Sequence, residues 1–140
     1  MKNTMKTFEA IELCACLESI VTDKTRKMAG SVAWNIGRTY KSLSTIKKDF
    51  EEMQQNKIIA MYDEGKTSKP EDSEDGTIKV LDEYMAEYGE YIDEIATTDT
   101  DVDIYTISQK DFEKLLDTCD LSVIEADGVS KLIKREEEDE

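Results

Sequence analysis

The chain has 140 residues, of which 39% are apolar and 36% are charged, and its formal net charge is −15. This length suits one domain, or one domain with an appendage. The sequence contains no His, which removes the commonest general base and the commonest metal ligand. We therefore expect a protein that is not an enzyme and that holds no cofactor.

The cysteines are Cys14, Cys16 and Cys119. An odd number without a signal peptide is typical of a reducing cytosol. No apolar stretch approaches the roughly 18 residues that a membrane span needs, so we expect a soluble intracellular protein. A Cys-x-Cys pair can bind metal, but only Cys119 is left to join it here. We favour small buried side chains as the role of these cysteines.

Charge is divided unevenly along the chain. Residues 1–62 carry ten Lys and Arg against seven Asp and Glu, a balance of +3, whereas residues 63–140 carry eight against twenty-six, a balance of −18. A block this negative repels nucleic acid and acidic membranes and attracts basic surfaces. The expected partner is therefore a basic protein surface, with no direct binding to nucleic acid and none to a membrane.

Two helices are predicted in residues 1–63. Thr7 can cap a short first helix, whose apolar residues recur every three or four positions. A long basic helix begins at Asp23 or Thr25 and keeps the same spacing to the end of this region. Gly37 lies inside the long helix, and the sequence leaves open whether the helix breaks there.

The next two regions predict a loop and a third helix. Residues 64–76 hold the single Pro, two Gly and no large apolar residue, which indicates a flexible acidic loop. Residues 77–98 predict an acidic amphipathic helix with a clean apolar stripe. A helix after such a loop folds back on its predecessor, so we expect an antiparallel hairpin. Its second stripe consists of four glutamates at spacings of four, three and four: Glu83, Glu87, Glu90 and Glu94.

Residues 99–134 predict a small α+β part. Apolar and Asp side chains alternate over residues 101–104, and residues 121–124 form a second apolar run. Both are short enough to pair as a two-stranded ribbon. Ser108 begins a capping box ahead of a short helix. Residues 135–140 predict a disordered acidic tail.

The predicted fold is mainly α: a long antiparallel helical hairpin with a short N-terminal helix and a small α+β C-terminal part. Its layout follows five segments in order: WNIGRTY (34–40), MYDEG (61–65), VDIYTI (102–107), FEKL (112–115) and LSVI (121–124). This order resembles an uncharacterised family of small acidic proteins from bacteriophages and prophages of Gram-positive bacteria. The resemblance covers roughly residues 8–133 and includes no catalytic motif. It implies a phage origin and action in the cytoplasm of a bacterial host.

Neither acidic segment carries a complete metal-binding motif. Residues 99–103 begin like a calcium loop, but Ile104 replaces the Gly of the sixth position and Lys110 replaces the Glu of the twelfth. We favour an acidic strand edge that blocks unwanted pairing. The carboxylates of the third helix lack the Glu-x-x-His pairs of di-metal bundles. We therefore predict no metal site.

The glutamate stripe is the sharpest functional candidate. Its carboxylates follow one another at about 5–6 Å along the helix, which is of the same order as the about 3.4 Å of helix axis per phosphate on each strand of a DNA duplex. Such a helix edge can imitate a phosphate row. The predicted partner-binding residues are this stripe and the aspartates after it: Glu83, Glu87, Glu90, Glu94, Asp99, Asp101 and Asp103. The expected function is inhibition of a host nucleic-acid-handling defence complex by occupying its basic groove, in the manner of a DNA mimic.

Several alternatives stay open at this point. The stripe can be an ordinary solvated face, and the protein can instead be a phage assembly accessory that oligomerises through its long helix, at Val32, Ile36 and Tyr40. A homodimer is compatible with either function. Apolar contacts to a partner would come from four tyrosines: Tyr84, Tyr88, Tyr91 and Tyr105. Basic residues of the long helix are expected to neutralise the acidic helix rather than bind nucleic acid locally: Arg38, Lys41, Lys47 and Lys48.

Overall fold

The computed structural model describes residues 2–134, and side chains from residue 3 onward. Over this part the chain forms two β-strands and five α-helices: β1 (Lys2–Lys6), α1 (Thr7–Val21), α2 (Gly30–Asp63), α3 (Met85–Ala96), β2 (Asp99–Asp103), α4 (Gln109–Thr118) and α5 (Val123–Ser130). The predicted fold class is confirmed, because the chain is mainly helical with one long helix and a small antiparallel sheet. The predicted tail at residues 135–140 lies outside the described residues.

The chain divides into two compact units, residues 1–47 with 99–140 and residues 48–98. We call them the first unit and the second unit. Helix α2 contributes to both, because its residues 30–47 belong to the first unit and its residues 48–63 to the second. Its 34 residues continue without a break through Gly37. At 1.5 Å per residue the helix is about 51 Å long.

The helix starts differ from the predicted ones. Thr7 is the first residue of α1 and is buried, and the residue before it, Lys6, donates its backbone N–H to Glu9 Oε1 at 3.0 Å. Helix α2 starts at Gly30 rather than at Asp23 or Thr25. The Asp23 carboxylate accepts hydrogen bonds from the Thr25 backbone N–H at 2.9 Å and hydroxyl at 2.6 Å. A side chain that forms such a hydrogen bond with a nearby backbone N–H favours a turn over a helix.

The two-stranded ribbon pairs different segments from those predicted. Strand β1 pairs with β2 in antiparallel register, with Lys6 opposite Asp99 and Thr4 opposite Asp101. Residues 121–124 do not form the second strand, since α5 begins at Val123 with Ser122 as its cap. The Ser122 hydroxyl accepts the Glu125 N–H at 3.1 Å and stabilises a helix start there. The predicted Ser108 cap is confirmed in the same way, by a bond from the Asp111 N–H at 3.0 Å.

The first unit has a continuous apolar core. Helix α1 buries one face at three- and four-residue spacing, and α2 supplies Val32, Ile36 and Leu43. Helix α5 approaches α1 closely at Gly128, where an added Cβ would lie 2.5 Å from Cys16 Cβ. Cys14 and Cys119 are buried and Cys16 is half-buried. They therefore act as the small packing side chains that the sequence favours.

The second unit contains the hairpin. Lys66, after α2, reaches Glu87 near the start of α3, whereas Lys57, inside α2, lies over the ring of Tyr91 further along α3. Because the earlier residue meets the later one, the two helices run antiparallel. Among the described residues, Met61 is the one large apolar side chain of this unit that is fully buried. The second unit therefore has much less core than the first.

The connection between these helices is more ordered than a flexible loop, and α3 is shorter than predicted. Thr67 and Val80 form an antiparallel bridge, and the Ser68 N–H donates to Lys79 O at 2.8 Å. Residues 77–81 are thus the returning arm of the connection rather than the first turns of a helix. The β-branched residues of this arm, Thr77, Ile78 and Val80, fit such extended pairing better than a helix.

Candidate functional site

The structure separates the seven predicted acidic residues into two groups. Glu87, Glu90 and Glu94 are exposed on α3, and Glu83 lies just before it on the 3-10 turn Asp82–Tyr84. The three aspartates, Asp99, Asp101 and Asp103, lie on β2. The glutamates belong to the second unit and the aspartates to the first.

The four glutamates differ in what they contact. Lys66 Nζ lies 2.9 and 3.1 Å from the two oxygens of Glu87 and also pairs with Glu64 at 3.1 Å. The hydrogen bonds from Lys66 hold the pKa of Glu87 below its usual value, against the opposing effect of burial. No hydrogen bond or ion pair to another residue of the described chain involves the carboxylates of Glu90 and Glu94. These two glutamates are therefore the most available part of the stripe.

The tyrosines of the hairpin are covered in part by lysines. Lys57 Nζ lies 4.8 Å from the centre of the Tyr91 ring, and Lys66 Nζ lies 5.6 Å from that of Tyr84. All four candidate tyrosines, including Tyr88 and Tyr105, are half-buried. Each tyrosine therefore packs part of its apolar surface inside the protein and leaves part of it exposed to solvent.

The aspartates of β2 are arranged by the ribbon. Asp99 and Asp101 point to its exposed face, and Val102 points inward and is fully buried. Asp99 forms an ion pair with Lys6 at 2.8 Å, and Asp101 accepts a hydrogen bond from the Thr4 hydroxyl at 3.0 Å. Within the ribbon, Lys6 therefore compensates the charge of Asp99, whereas the partner of Asp101 is a neutral hydroxyl. Strand geometry also separates these carboxylates, in contrast to a calcium loop.

The basic residues of α2 are used differently from what the sequence predicts. Lys47 reaches Glu18 of α1, with 3.9 Å between Nζ and Oε2. Arg38 stacks on the aromatic rings of Trp34 and Tyr105 in the first unit. The contacts between cations and the acidic hairpin come instead from Lys57 and Lys66. Helix α3 is therefore contacted by Lys57, which is also a basic residue of α2, and by Lys66 after α2.

A groove in the first unit is the feature that the sequence analysis missed. It has a cavity volume of about 880 Å³, and its lining includes Trp34 and Lys41 of α2, and Asp101 and Asp103 of β2. The side chain of Trp34 is 64% exposed. The only available signal in the sequence was the spacing of four between Trp34 and Arg38, which places them side by side on a helix.

Arg38 also lines this groove and contacts two of its aromatic rings. Its guanidinium carbon lies 3.7 Å from the ring centre of Tyr105 and 5.5 Å from that of Trp34. Both distances are within the range of a cation–π contact. Its Nε is buried and has no hydrogen-bond acceptor among the described residues. Ring contacts therefore determine the position of this side chain.

A buried ion pair stabilises the first unit away from the groove. The Arg26 guanidinium lies 2.9 Å from Glu125 Oε2, and the Ser19 hydroxyl donates to the same oxygen at 2.5 Å. Burial raises the pKa of Glu125, but hydrogen bonds from the Ser122 N–H, Ser19 and Arg26 outweigh it, so the pKa lies below its usual value. This cluster connects α1 to α5, and both carboxylate oxygens of Glu125 accept hydrogen bonds within it.

The described part of the chain lacks two further features. In residues 2–134 no three His, Cys, Asp or Glu side chains lie close enough together to hold a metal ion. No helix in the same range has the length and apolar character needed to span a membrane.

Comparison with protein-family models, with curated proteins and with solved structures finds no match for this chain. The candidate site is therefore defined by its own residues: the acidic edge of α3 in the second unit, and the groove around Trp34 in the first.

Proposed function

We propose that this chain is a phage-encoded acidic binding protein that inhibits a host nucleic-acid-handling complex. It would act in the cytoplasm of a bacterial host as a DNA mimic, with its acidic surface in the basic groove where the complex binds nucleic acid. The phage origin and the host come from the resemblance of layout. The observation that carries the binding role is the charge of the second unit, whose residues 48–98 hold five Lys against fifteen Asp and Glu, a balance of −10.

The geometry of α3 supports the contact with a basic groove. Glu90 and Glu94 are four residues apart, which corresponds to a rise of about 6 Å along the helix. Both are exposed, and no cation of the described chain pairs with them. Uncompensated charge of this density steers a basic partner and raises the association rate, whereas apolar contacts supply much of the affinity.

Capture followed by competition tests this function. The tagged protein is incubated with an extract of the bacterial host at low salt, and bound proteins are identified by mass spectrometry. Each captured complex is then purified and titrated with labelled duplex DNA in the presence and absence of this protein. The proposal expects DNA and protein to exclude each other. Simultaneous binding of both would contradict it.

The structure determines which variants suit this test. Reversal of Glu87 would also break its contact with Lys66, so a loss of binding would be ambiguous. Glu90→Lys with Glu94→Lys changes the charge of the edge without removing any ion pair of the described chain. Glu71→Lys with Glu74→Lys is the matched control, because both residues are exposed in the connection before α3 and the change in net charge is the same.

A second candidate function, an oligomeric assembly accessory, has a specific observation in its favour. The second-unit part of α2 exposes Met53, Ile59 and Tyr62, with 41%, 54% and 42% of their surface accessible. Of the residues expected to form such an interface, Val32 and Ile36 lie in the core of the first unit, and Tyr40 is partly buried against that core. Sedimentation of the wild-type and Ile59→Lys proteins tests this alternative. A defined oligomer that the substitution dissociates would favour it, and a monomer in both cases would exclude it.

A further inference from the structure

The groove around Trp34 has the dimensions and composition of a binding site. Its volume of about 880 Å³ falls within the about 300–1,000 Å³ typical of ligand pockets. Aromatic and aliphatic side chains line it, and residue Trp34 remains 64% exposed. Trp is one of the residue types that are enriched at the energetic centre of protein interfaces.

Hydrogen bonds fix the shape of the groove before any partner binds. Thr39, which is fully buried, accepts the backbone N–H of Tyr105 at 2.9 Å, and the Asn35 amide donates to the carbonyl of Thr106 at 3.0 Å. These bonds attach the segment after β2 to α2. Arg38 then stacks on the ring of Tyr105. A preformed groove of this kind binds with little loss of conformational entropy.

The two walls of the groove carry opposite charge. Helix α2 contributes Arg38 and Lys41, and strand β2 contributes Asp101 and Asp103. None of the ion pairs among residues 3–134 joins one wall to the other. The hydrogen bond that Asp101 accepts comes from the neutral hydroxyl of Thr4, so its negative charge is not compensated by that contact. The β2 wall can therefore attract a cation from outside the chain.

We propose that this groove binds a basic segment of the partner protein in which an aliphatic or aromatic side chain precedes Lys or Arg. The apolar side chain packs against Trp34, and the cation beside it lies against Asp101 and Asp103. Arg38 and Lys41 on the other wall repel the cation and set the orientation of the segment. This inference rests on the proposed function, since it takes the partner to be basic. A second copy of this chain is disfavoured as the occupant by the net charge of −15.

Two short peptides of equal charge test the groove directly. One is acetyl-Leu-Arg-Lys-Arg-amide and the other has Ala in place of Leu. The chain has a single Trp, so the emission of Trp34 reports contact in the groove, and isothermal titration calorimetry reports binding of the unlabelled peptides in every variant. The proposal expects a shift in Trp34 emission with the Leu peptide and affinity about tenfold higher than for the Ala peptide, as burial of a Leu side chain implies. Trp34→Ala should abolish this preference.

A matched pair of variants separates the groove from general attraction by charge. Asp101→Asn with Asp103→Asn should weaken binding of the Leu peptide by about tenfold at low salt, whereas Glu71→Gln with Glu74→Gln in the connection before α3, an equal change in net charge at exposed positions, should have a much smaller effect. If both double variants weaken binding alike, with no preference for Leu and no change in Trp34 emission, the groove inference is overturned while the proposed function stands. If neither peptide binds at low salt, the groove inference is also overturned. Competition between DNA and the chain for a captured complex decides the proposed function separately.

Discussion

Gly128 offers a sharp test of how α1 and α5 pack. Substitution by Ala would place a Cβ 2.5 Å from Cys16 Cβ and 3.7 Å from Leu13 Cδ1. The Cys16 Cβ is attached directly to the backbone of α1, so no change of rotamer can move it away. The helices would have to separate by about 0.9 Å to bring that contact from 2.5 Å to the 3.4 Å at which ordinary contact begins.

The expected magnitude follows from a comparison with Gly37→Ala. Gly37 also lies in a helix of the first unit, and an added Cβ there meets nothing within 4 Å. Both substitutions gain helix propensity of about 1 kcal/mol, but only Gly128→Ala carries an overpacking penalty of about 1–3 kcal/mol. Gly37→Ala should therefore be more stable than the wild type, and the two variants should differ by about 1–3 kcal/mol in the free energy of unfolding.

Urea denaturation followed by Trp34 emission measures this difference, because Trp34 belongs to the same unit as both glycines. With a slope of about 1–3 kcal/mol per molar urea, the midpoints should differ by about 1 M. Cys16→Gly removes the opposing Cβ and should suppress the penalty of Gly128→Ala in a double-mutant cycle. Equal midpoints for Gly128→Ala and Gly37→Ala would refute the close approach of the two helices.

Three further predictions concern other contacts. Thr39→Val leaves the Tyr105 N–H without its acceptor and should destabilise the first unit by about 1–3 kcal/mol in the same urea assay; wild-type stability would show that the bond contributes nothing. Glu125→Gln should cost about 1.5–3 kcal/mol near neutral pH. Because the folded-state pKa of Glu125 is lowered, its contribution is present above the unfolded-state value of about 4.3 and is lost as pH falls through the folded-state value, so the gap between wild type and Glu125→Gln should narrow in acid; a gap independent of pH would contradict the ion pair with Arg26. Amide hydrogen exchange should be faster in residues 48–98 than in the first unit, because fewer side chains are buried there; equal protection would contradict this.

Local periodicity predicted that α1 to α4 exist, because helices bury residues that are close in sequence, but it did not predict where α2, α3 and α5 begin. Three- and four-residue spacing indicated the long helix, and the polar Ser108 indicated the start of α4. The ribbon was harder to predict. Strand β1 has the sequence Lys-Asn-Thr-Met-Lys, which shows no apolar alternation, and its partner β2 lies about a hundred positions away. The pairing of Lys6 with Asp99 depends on the tertiary fold, so local sequence patterns do not predict it.

The candidate site was predictable in part. The exposure of Glu90 and Glu94 follows from their position opposite the apolar stripe of α3, whereas the engagement of Glu87 depends on Lys66, which lies beyond the end of α2. The groove depends on contact between Arg38 and Tyr105, which belong to segments 67 positions apart. Only the tertiary fold brings these two side chains together.

The most direct test of the central claim is the affinity of a captured host complex for the charge-reversed variants at low salt. Glu90→Lys with Glu94→Lys should reduce affinity by at least about tenfold, and by more than Glu71→Lys with Glu74→Lys, because only the first pair reverses the edge of α3. Wild-type binding should also weaken steeply as salt increases. Equal affinity of the two double variants, or of the wild type and the α3 variant, would contradict the claim that this acidic edge binds a basic groove.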